Sequence, residues 1–230
     1  MVIPLYDHDP TDFKVRPWVT WSLIALNVIV FGVEQATGGA EFLMMSYGAV
    51  PAVILGQAPN ASPIPAWATL VTSMFLHNGW LHVGGNMLYL FVFGDDIEGA
   101  MGWWRFLLFY MASGICAALV YVICNHDAVG PMVGASGAIA GVLAAYVMLR
   151  PCAKLWVLVF GRPVRLAAMW AIGTWVALQF YDILSGSDDG VAYGAHVGGL
   201  VAGSMLFALL RPKDVELFEC IDEDEALSPP

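Results

Sequence analysis

Residues 134–149 read Gly-Ala-Ser-Gly-Ala-Ile-Ala-Gly-Val-Leu-Ala-Ala-Tyr-Val-Met-Leu, a stretch without a charged side chain. Ser136 opens its apolar run, and His196 lies inside another charge-free run nearer the carboxyl end. Polar side chains held within a bilayer are costly, so they mark functional sites. Serine and histidine are also the minimal pair of a nucleophile and its general base. These two residues are therefore the first candidates for a catalytic site.

The composition predicts that the protein resides in a membrane. Hydrophobic residues make up 59% of the 230-residue chain and charged residues only 12%, with a mean hydropathy of +0.71. A soluble domain is usually about half apolar, and a bilayer-spanning helix needs roughly 20 apolar residues. We predict an all-α polytopic membrane protein with six transmembrane helices, at about Trp18–Gln35, Leu81–Gly99, Trp103–Cys124, Ser136–Leu149, Leu166–Tyr181 and Ala192–Leu210.

The positions of the basic residues predict the orientation in the membrane. With six spans, one side holds every basic residue of the chain: Lys14, Arg16, Arg105, Arg150, Lys154, Arg162, Arg165, Arg211 and Lys213. The other side carries acidic residues instead: Glu41, Asp127, Asp182, Asp188 and Asp189. Because basic loops stay on the inner side, both termini are predicted to be cytoplasmic.

Three segments are predicted along the chain. Residues 1–16 form a short cytoplasmic lead, residues 17–211 the membrane domain, and residues 212–230 an acidic cytoplasmic tail. Seven acidic residues between 214 and 225 account for most of the net charge of −10, and this tail is predicted to be solvated. The long outer loop, residues 36–80, is apolar enough to lie partly embedded at the interface.

The remaining composition excludes several kinds of site. The apolar run 155–160 is too short to span and is predicted to lie at the cytoplasmic interface. The chain has no basic patch that would indicate nucleic acid binding, and nothing in it indicates an oligomeric state. Its cysteines show neither a disulfide framework nor a metal-binding spacing: Cys116, Cys124, Cys152 and Cys220. No metal and no cofactor is predicted.

Depth in the membrane brings the serine and the histidine to one level. Ser136 lies fourteen residues before Arg150, and His196 lies fifteen residues before Arg211. At about 1.5 Å per helical residue, both lie roughly 21–23 Å above the inner boundary. In a hydrocarbon core about 30 Å thick, the two side chains share one depth and could be in contact.

Glycines around Ser136 favour the same interpretation. Gly134 and Gly137 allow the backbone to turn sharply into a helix that begins at the serine. The first amides of a helix lack intrahelical partners and lie at the positive end of its dipole, so they suit an oxyanion. The alternative is a helix-capping serine among small residues that only pack against a neighbour.

Glycines also follow the histidine in a regular stripe. Gly199 and Gly203 lie three and seven residues after His196, which lets this helix approach a neighbour closely. The helix that begins at Ser136, with its own glycines four residues apart, is the predicted neighbour. Because no Asp or Glu lies within the spans near His196, we expect a dyad without the acidic third member of soluble serine hydrolases.

His82 and Asn86 are a second polar pair within an apolar helix. Their i,i+4 spacing places both side chains on one face, and each can donate a hydrogen bond to an oxyanion. The alternative is a polar contact that holds two helices together. His77 and His126 are predicted to lie near the outer water boundary with no role in chemistry.

At these positions the chain resembles the rhomboid intramembrane serine proteases, over nearly everything from Trp18 to Arg211. The resemblance rests on three motifs in order: His82 followed by Asn86, the segment Gly134-Ala135-Ser136-Gly137, and Ala195-His196 followed by Gly199 and Gly203. It implies a six-helix rhomboid-like bundle whose active site opens toward the outer side of the membrane. The six-helix form is similar to that of prokaryotic members, which implies a prokaryotic inner membrane.

The resemblance also implies roles for the residues. Ser136 would be the nucleophile and His196 the general base, and the Ser136 backbone amide would form an oxyanion hole with His82 and Asn86. The substrates would be single-pass proteins cleaved in or near their transmembrane segments within the lipid bilayer. Some members carry an aromatic residue four positions after the nucleophile, whereas this chain has Ala140, so the group that restrains His196 is not predicted.

Two other functions fit the same composition. One is a catalytically silent rhomboid-like protein that binds or escorts other transmembrane helices, although such a protein would be expected to lose Ser136 or His196. The other is a small transporter, which the lack of internal repeats and intramembrane carboxylates argues against.

Overall fold

Six long helices of the described chain coincide with the six apolar runs of the sequence. The computed structural model describes residues 2–8, 16–159, 161–187 and 190–220. Its elements, in chain order, are β1 (Val2–His8), α1 (Trp18–Thr37), α2 (Ala40–Tyr47), α3 (Pro51–Ile54), α4 (Thr69–Thr72), α5 (Trp80–Met101), α6 (Trp103–Cys124), α7 (Ser136–Leu149), β2 (Lys154–Val159), β3 (Arg162–Ala167), α8 (Ala168–Ser185) and α9 (Tyr193–Leu210). The predicted placements of Lys14, Asp188, Asp189 and residues 221–230 lie outside the described residues.

The central helix of the bundle is α7. Eleven of its fourteen residues are buried, as expected for a helix that is apolar on every side. On one flank, Gly199 of α9 faces the backbone of Gly137, and Gly203 faces that of Gly141. A Cβ atom at either α9 glycine would overlap the α7 backbone, so the two helices are in direct main-chain contact. This close approach fixes the position of α9 relative to α7.

A buried carboxylate joins α5 to the beginning of α1. Glu98 is 1% exposed and accepts hydrogen bonds from the backbone N–H groups of Val19 and Thr20, at 2.9 and 2.7 Å. The hydroxyl of Thr20 donates a third bond at 2.8 Å. The first amides of a helix have no intrahelical acceptor and lie at its positive end, so this carboxylate satisfies both the donors and the dipole.

The prediction of an all-α protein is wrong in one respect, because three strands form an antiparallel sheet in the order β1-β2-β3. β2 lies where the short apolar run was predicted, and its first residues alternate between exposed and buried, the period of a strand. β3 continues it through a hairpin in which Gly161 has a φ of 77°. β1 lies in the predicted polar lead and pairs with β2 from about 150 residues away in sequence. Nothing in the sequence of β1 alone identifies that partner.

The acidic tail is not solvated throughout, contrary to the prediction. Val215 and Leu217 pack against the hydrophobic core, and the backbone N–H of Phe218 donates to the carbonyl of Met148 at 2.7 Å. Glu219 forms an ion pair with Arg150 at 2.8 Å. Two half-buried hydrophobic side chains, a backbone hydrogen bond and an ion pair therefore attach residues 215–219 to the bundle.

A disulfide joins Cys152 to Cys220, a pairing that the spacing of the cysteines did not predict. The two cysteines are 68 residues apart and lie just after α7 and in the tail, so only the folded chain brings them together. Cys116 and Cys124 are free. The bond ties the tail to the same end of α7 as the ion pair of Glu219.

The outer loop between α1 and α5 is helical in short pieces rather than extended. It contains α2, α3 and α4, with 3-10 turns at Ala66–Ala68 and Ser73–Phe75. Its residue Ala49 forms an isolated backbone bridge with Met132, just before α7. The loop thus packs on the end of the bundle at which Ser136 lies.

By length and composition, three of the described helices could cross a membrane: α1, α6 and α9. The helix α7 is apolar but has only 14 residues. The helix α5 carries three acidic residues near its end, and α8 carries Gln179 and Asp182, which lower their hydropathy. The structure is therefore a mostly helical bundle with at least three helices suited to a bilayer.

Candidate active site

Ser136 is the first residue of α7, and the segment before it is held at two points. Gly134 has a φ of 121°, a conformation that favours glycine, and its N–H donates to the carbonyl of Ser73 at 2.9 Å. Met132 pairs with Ala49 through two backbone hydrogen bonds. These contacts direct the chain into α7 with the serine at the helix start, so the first amides of α7 face the same space as its hydroxyl.

The structure brings Ser136 and His196 together. The Ser136 Oγ and the His196 Nε2 are 2.8 Å apart, a normal hydrogen-bond distance. His196 is 8% exposed, while Ser136 is half-buried. The rings of Trp175 and Tyr193 lie 5.6 and 6.3 Å from the imidazole, so aromatic groups from α8 and from the start of α9 surround it. Neither aromatic residue was predicted from the sequence.

The other imidazole nitrogen contacts a residue that the sequence analysis missed. The His196 Nδ1 and the Gln179 Oε1 are 2.6 Å apart, and Gln179 is 5% exposed. Gln179 lies on α8, where a carboxamide within an apolar run was the available signal. That signal was insufficient because the sequence does not show which face of α8 meets α9.

His82 and Asn86 lie opposite Gly134, on α5. A Cβ atom at position 134 would be 2.7 Å from the His82 Nε2 and 3.7 Å from the Asn86 Nδ2, so glycine keeps this space open. The backbone N–H of Asn78 donates to the His82 Nδ1 at 3.3 Å, which places the ring hydrogen of neutral His82 on Nε2. The Asn86 Nδ2 is buried and has no hydrogen-bond partner among the described residues.

The Asn86 side-chain donor beside Gly134 therefore has no acceptor within the described part of the chain. Buried polar groups without partners are rare and require an explanation. Two N–H donors directed at one space beside the Ser136 backbone amide suit an oxygen that acquires negative charge.

The two other histidines differ from one another. His126 is exposed. His77 is 1% exposed, and its ring lies 5.0 Å from that of His82. Burial, with a smaller effect of the neighbouring His82, lowers the pKa of His77 to about 4. A neutral His77 adds no positive charge beside the donors at neutral pH.

A small cavity reaches Ser136 between α6, α7 and the start of α9. It is lined mainly by small and apolar residues: Met74, Gly114, Ala117, Met132, Val133, Gly134, Ser136, Gly137, Ala138, Ala192 and Ala195. Among the described residues, no group of three or more His, Cys, Asp and Glu side chains could hold a metal ion.

Comparison with known proteins identifies the family of this bundle. Residues 65–213 match the model of the rhomboid domain. The chain belongs to the rhomboid family. The matched region of this rhomboid contains Ser136, His196, His82, Asn86 and Gln179, so it includes the site described above.

Several curated relatives carry rhomboid names. The chain is 32% identical to "Rhomboid protein 1, mitochondrial" of Saccharomyces cerevisiae, over 92% of this chain and 59% of that protein. It is 29% identical to "Rhomboid protease GluP" of Bacillus subtilis, over 85% of this chain and 35% of that protein. It is 32% identical to "Rhomboid protease AarA" of Providencia stuartii, over 61% and 54%. This rhomboid thus spans a third to three fifths of the lengths of these relatives.

Membership in the family makes the chain an integral membrane protein. The predicted prokaryotic inner membrane is not supported, because the relatives include a mitochondrial yeast protein as well as bacterial ones. The six-helix form was therefore too general a feature to identify the compartment.

Proposed function

We propose that this rhomboid is an intramembrane serine endopeptidase in which Ser136 is the nucleophile and His196 the general base. The observation that carries the proposal is the 2.8 Å distance between the Ser136 Oγ and the His196 Nε2. A serine hydroxyl is a weak nucleophile until a neighbouring base accepts its proton, and this distance is within reach for that transfer.

The geometry supports a two-step acyl transfer. The Ser136 Oγ attacks the scissile carbonyl carbon while its proton moves to the His196 Nε2. The carbonyl oxygen becomes an oxyanion, which accepts hydrogen bonds from His82, Asn86 and the Ser136 backbone amide. Protonated His196 then gives the proton to the leaving amide nitrogen, the C–N bond breaks, and an acyl-serine remains.

Water completes the reaction by the same groups. His196 removes a proton from a water molecule as its oxygen attacks the acyl-serine carbonyl carbon. The collapse of the second tetrahedral intermediate breaks the bond to the Ser136 Oγ, which regains the proton from His196. The new carboxyl end of the substrate is released, and the site returns to its starting protonation state.

The proposal extends to the substrate and the membrane topology. We infer six spans, with both termini and the basic residues on the cytoplasmic side and the site near the outer surface. Substrates are single-pass membrane proteins cleaved in or near their transmembrane segments. Ser136 opens α7, at a depth that we infer to lie below the outer surface, so a substrate helix would have to unwind locally to present an extended bond to it.

A fluorophosphonate probe, which reacts only with activated serines, tests the proposal. We expect it to label wild-type protein and neither Ser136→Ala nor His196→Ala, and we expect only wild type to cleave a model single-pass substrate in proteoliposomes. Thermal unfolding of the variants checks that they are folded. Absence of labelling and cleavage with folded, accessible wild type would instead favour the silent helix-binding function.

A further inference from the structure

Gln179 has an amide whose two ends can be told apart by their partners. The Gln179 Nε2 donates to the backbone carbonyl of Trp175, one turn earlier in α8, at 3.1 Å. A rotated amide would instead place its oxygen against that carbonyl, so that two acceptors would face each other without a hydrogen atom. The backbone of α8 therefore orients the amide with Oε1 toward His196.

The orientation of the amide determines which nitrogen of His196 carries the hydrogen. The Gln179 Oε1 can only accept, so at 2.6 Å the neutral imidazole must donate from Nδ1. Its Nε2 then has a free lone pair, 2.8 Å from the Ser136 hydroxyl. This is the tautomer that can take the serine proton, whereas the other one would present an N–H to the serine.

We propose that Gln179 is a positioning residue that holds His196 in the base-competent tautomer, in the place that an aspartate occupies in soluble serine hydrolases. This inference rests on the proposed function of the dyad. It also identifies a hydrogen-bonding group that restrains His196, beside the rings of Trp175 and Tyr193, where Ala140 offers no aromatic ring. His196 on α9 is thus held by Gln179 on α8, so the geometry of the site depends on the distance between these two helices.

A neutral amide suits this position better than a carboxylate would. Gln179 is 5% exposed within an apolar helix, where an ionised side chain would be costly. The carboxamide fixes the tautomer with its oxygen and satisfies its own nitrogen on the Trp175 carbonyl, so it needs no counter-ion. Both polar ends of the side chain are therefore paired.

The test combines the tautomer, observed by ¹⁵N NMR of histidine-labelled protein, with the kinetics of cleavage of a model single-pass substrate. Spectra are recorded at about pH 8, where a histidine of ordinary pKa is neutral, and a His196→Ala sample assigns the signals. Wild type should carry the hydrogen on Nδ1. Gln179→Met, which has similar size but no acceptor, should show loss of that preference and a kcat about 10- to 100-fold lower, with KM changed less than about twofold.

Two variants separate positioning from a structural effect. Gln179→Glu keeps an acceptor oxygen and should retain the Nδ1–H tautomer. Thr174→Val removes another polar group that bonds the α8 backbone, at 2.7 Å to Trp170, but Thr174 is exposed, whereas Gln179 is buried. It should leave both the spectrum and kcat unchanged.

The outcomes also separate this inference from the proposed function. A wild-type spectrum with the hydrogen on Nε2, or a Gln179→Met protein with the wild-type tautomer, would overturn the role of Gln179. A protein that cleaves nothing, yet shows an Nδ1–H tautomer that depends on Gln179, would overturn the protease function and leave the positioning role intact.

Discussion

The contact between α7 and α9 is predicted to set the geometry of the dyad, and Gly199→Ala tests it most directly. The new Cβ atom would overlap the carbonyl of Gly137, the residue next to Ser136. Packed interiors leave little room for an added methyl group, so we expect α9 to move away by on the order of 1 Å. His196 lies on α9, three residues before Gly199, and would move with it.

The magnitude follows from two opposing effects. Overpacking of a close contact costs about 1–3 kcal/mol, while replacing glycine by alanine within a helix gains about 1 kcal/mol. Gly194→Ala is the matched control, because it lies on the same helix and a Cβ atom there meets nothing within 4 Å. The free energy of unfolding of Gly199→Ala should therefore be lower than that of Gly194→Ala by about 1–3 kcal/mol.

The rate should change more than the stability. Misplacement of a reacting group by about 1 Å can cost on the order of 100-fold in rate. The second-order rate of fluorophosphonate labelling, measured beside thermal unfolding, should fall by that order for Gly199→Ala and stay near wild type for Gly194→Ala. Wild-type labelling of a folded Gly199→Ala protein would refute the idea that this glycine contact sets the distance from Ser136 to His196.

The oxyanion donors, the general base and the disulfide each allow a further test. His82→Ala or Asn86→Ala should lower kcat by about 100- to 1,000-fold with little change in KM, because the lost donor acts on charge that develops only during reaction; a loss below about threefold would contradict this role. Cleavage should slow on acidification as His196 takes a proton and can no longer accept one from serine, so a rate that stays flat down to the pH at which the protein unfolds would contradict its role as the base. Under non-reducing conditions a maleimide should not modify Cys152 or Cys220, and Cys220→Ser should lower the free energy of unfolding by about 2–4 kcal/mol; free thiols at both positions before reduction would show that the bond does not form.

The long helices could be predicted because each depends on a local property. Trp103–Cys124 and Ser136–Leu149 have the predicted bounds, since a long, predominantly apolar run can define a helix without reference to the rest of the chain. The strands could not be predicted in this way. β1 is stable only because β2 supplies its hydrogen-bond partners, and those partners lie far away in sequence.

The packing of residues 215–219 could not be predicted for a related reason. Its acidic composition dominates any average over residues 212–230, whereas its attachment depends on a few side chains, including Leu217 and Glu219. The pairing of Cys152 with Cys220 likewise requires both cysteines to reach the same end of α7. The composition of a segment indicates how well water solvates it on average. Contacts of single residues decide whether the segment packs against the helical bundle.

The sequence by itself determined the membrane character, the long helices and the two polar residues Ser136 and His196 as candidates, because hydrophobicity and helical rise act locally and repeat along the chain. Only the tertiary structure decided how His196 is restrained. The orientation of its ring depends on the face that α8 presents to α9, and on a hydrogen bond from Gln179 to its own helix backbone. A contact between two helices has no periodic signature in either one, so the third member of the site becomes visible only when the helices are packed.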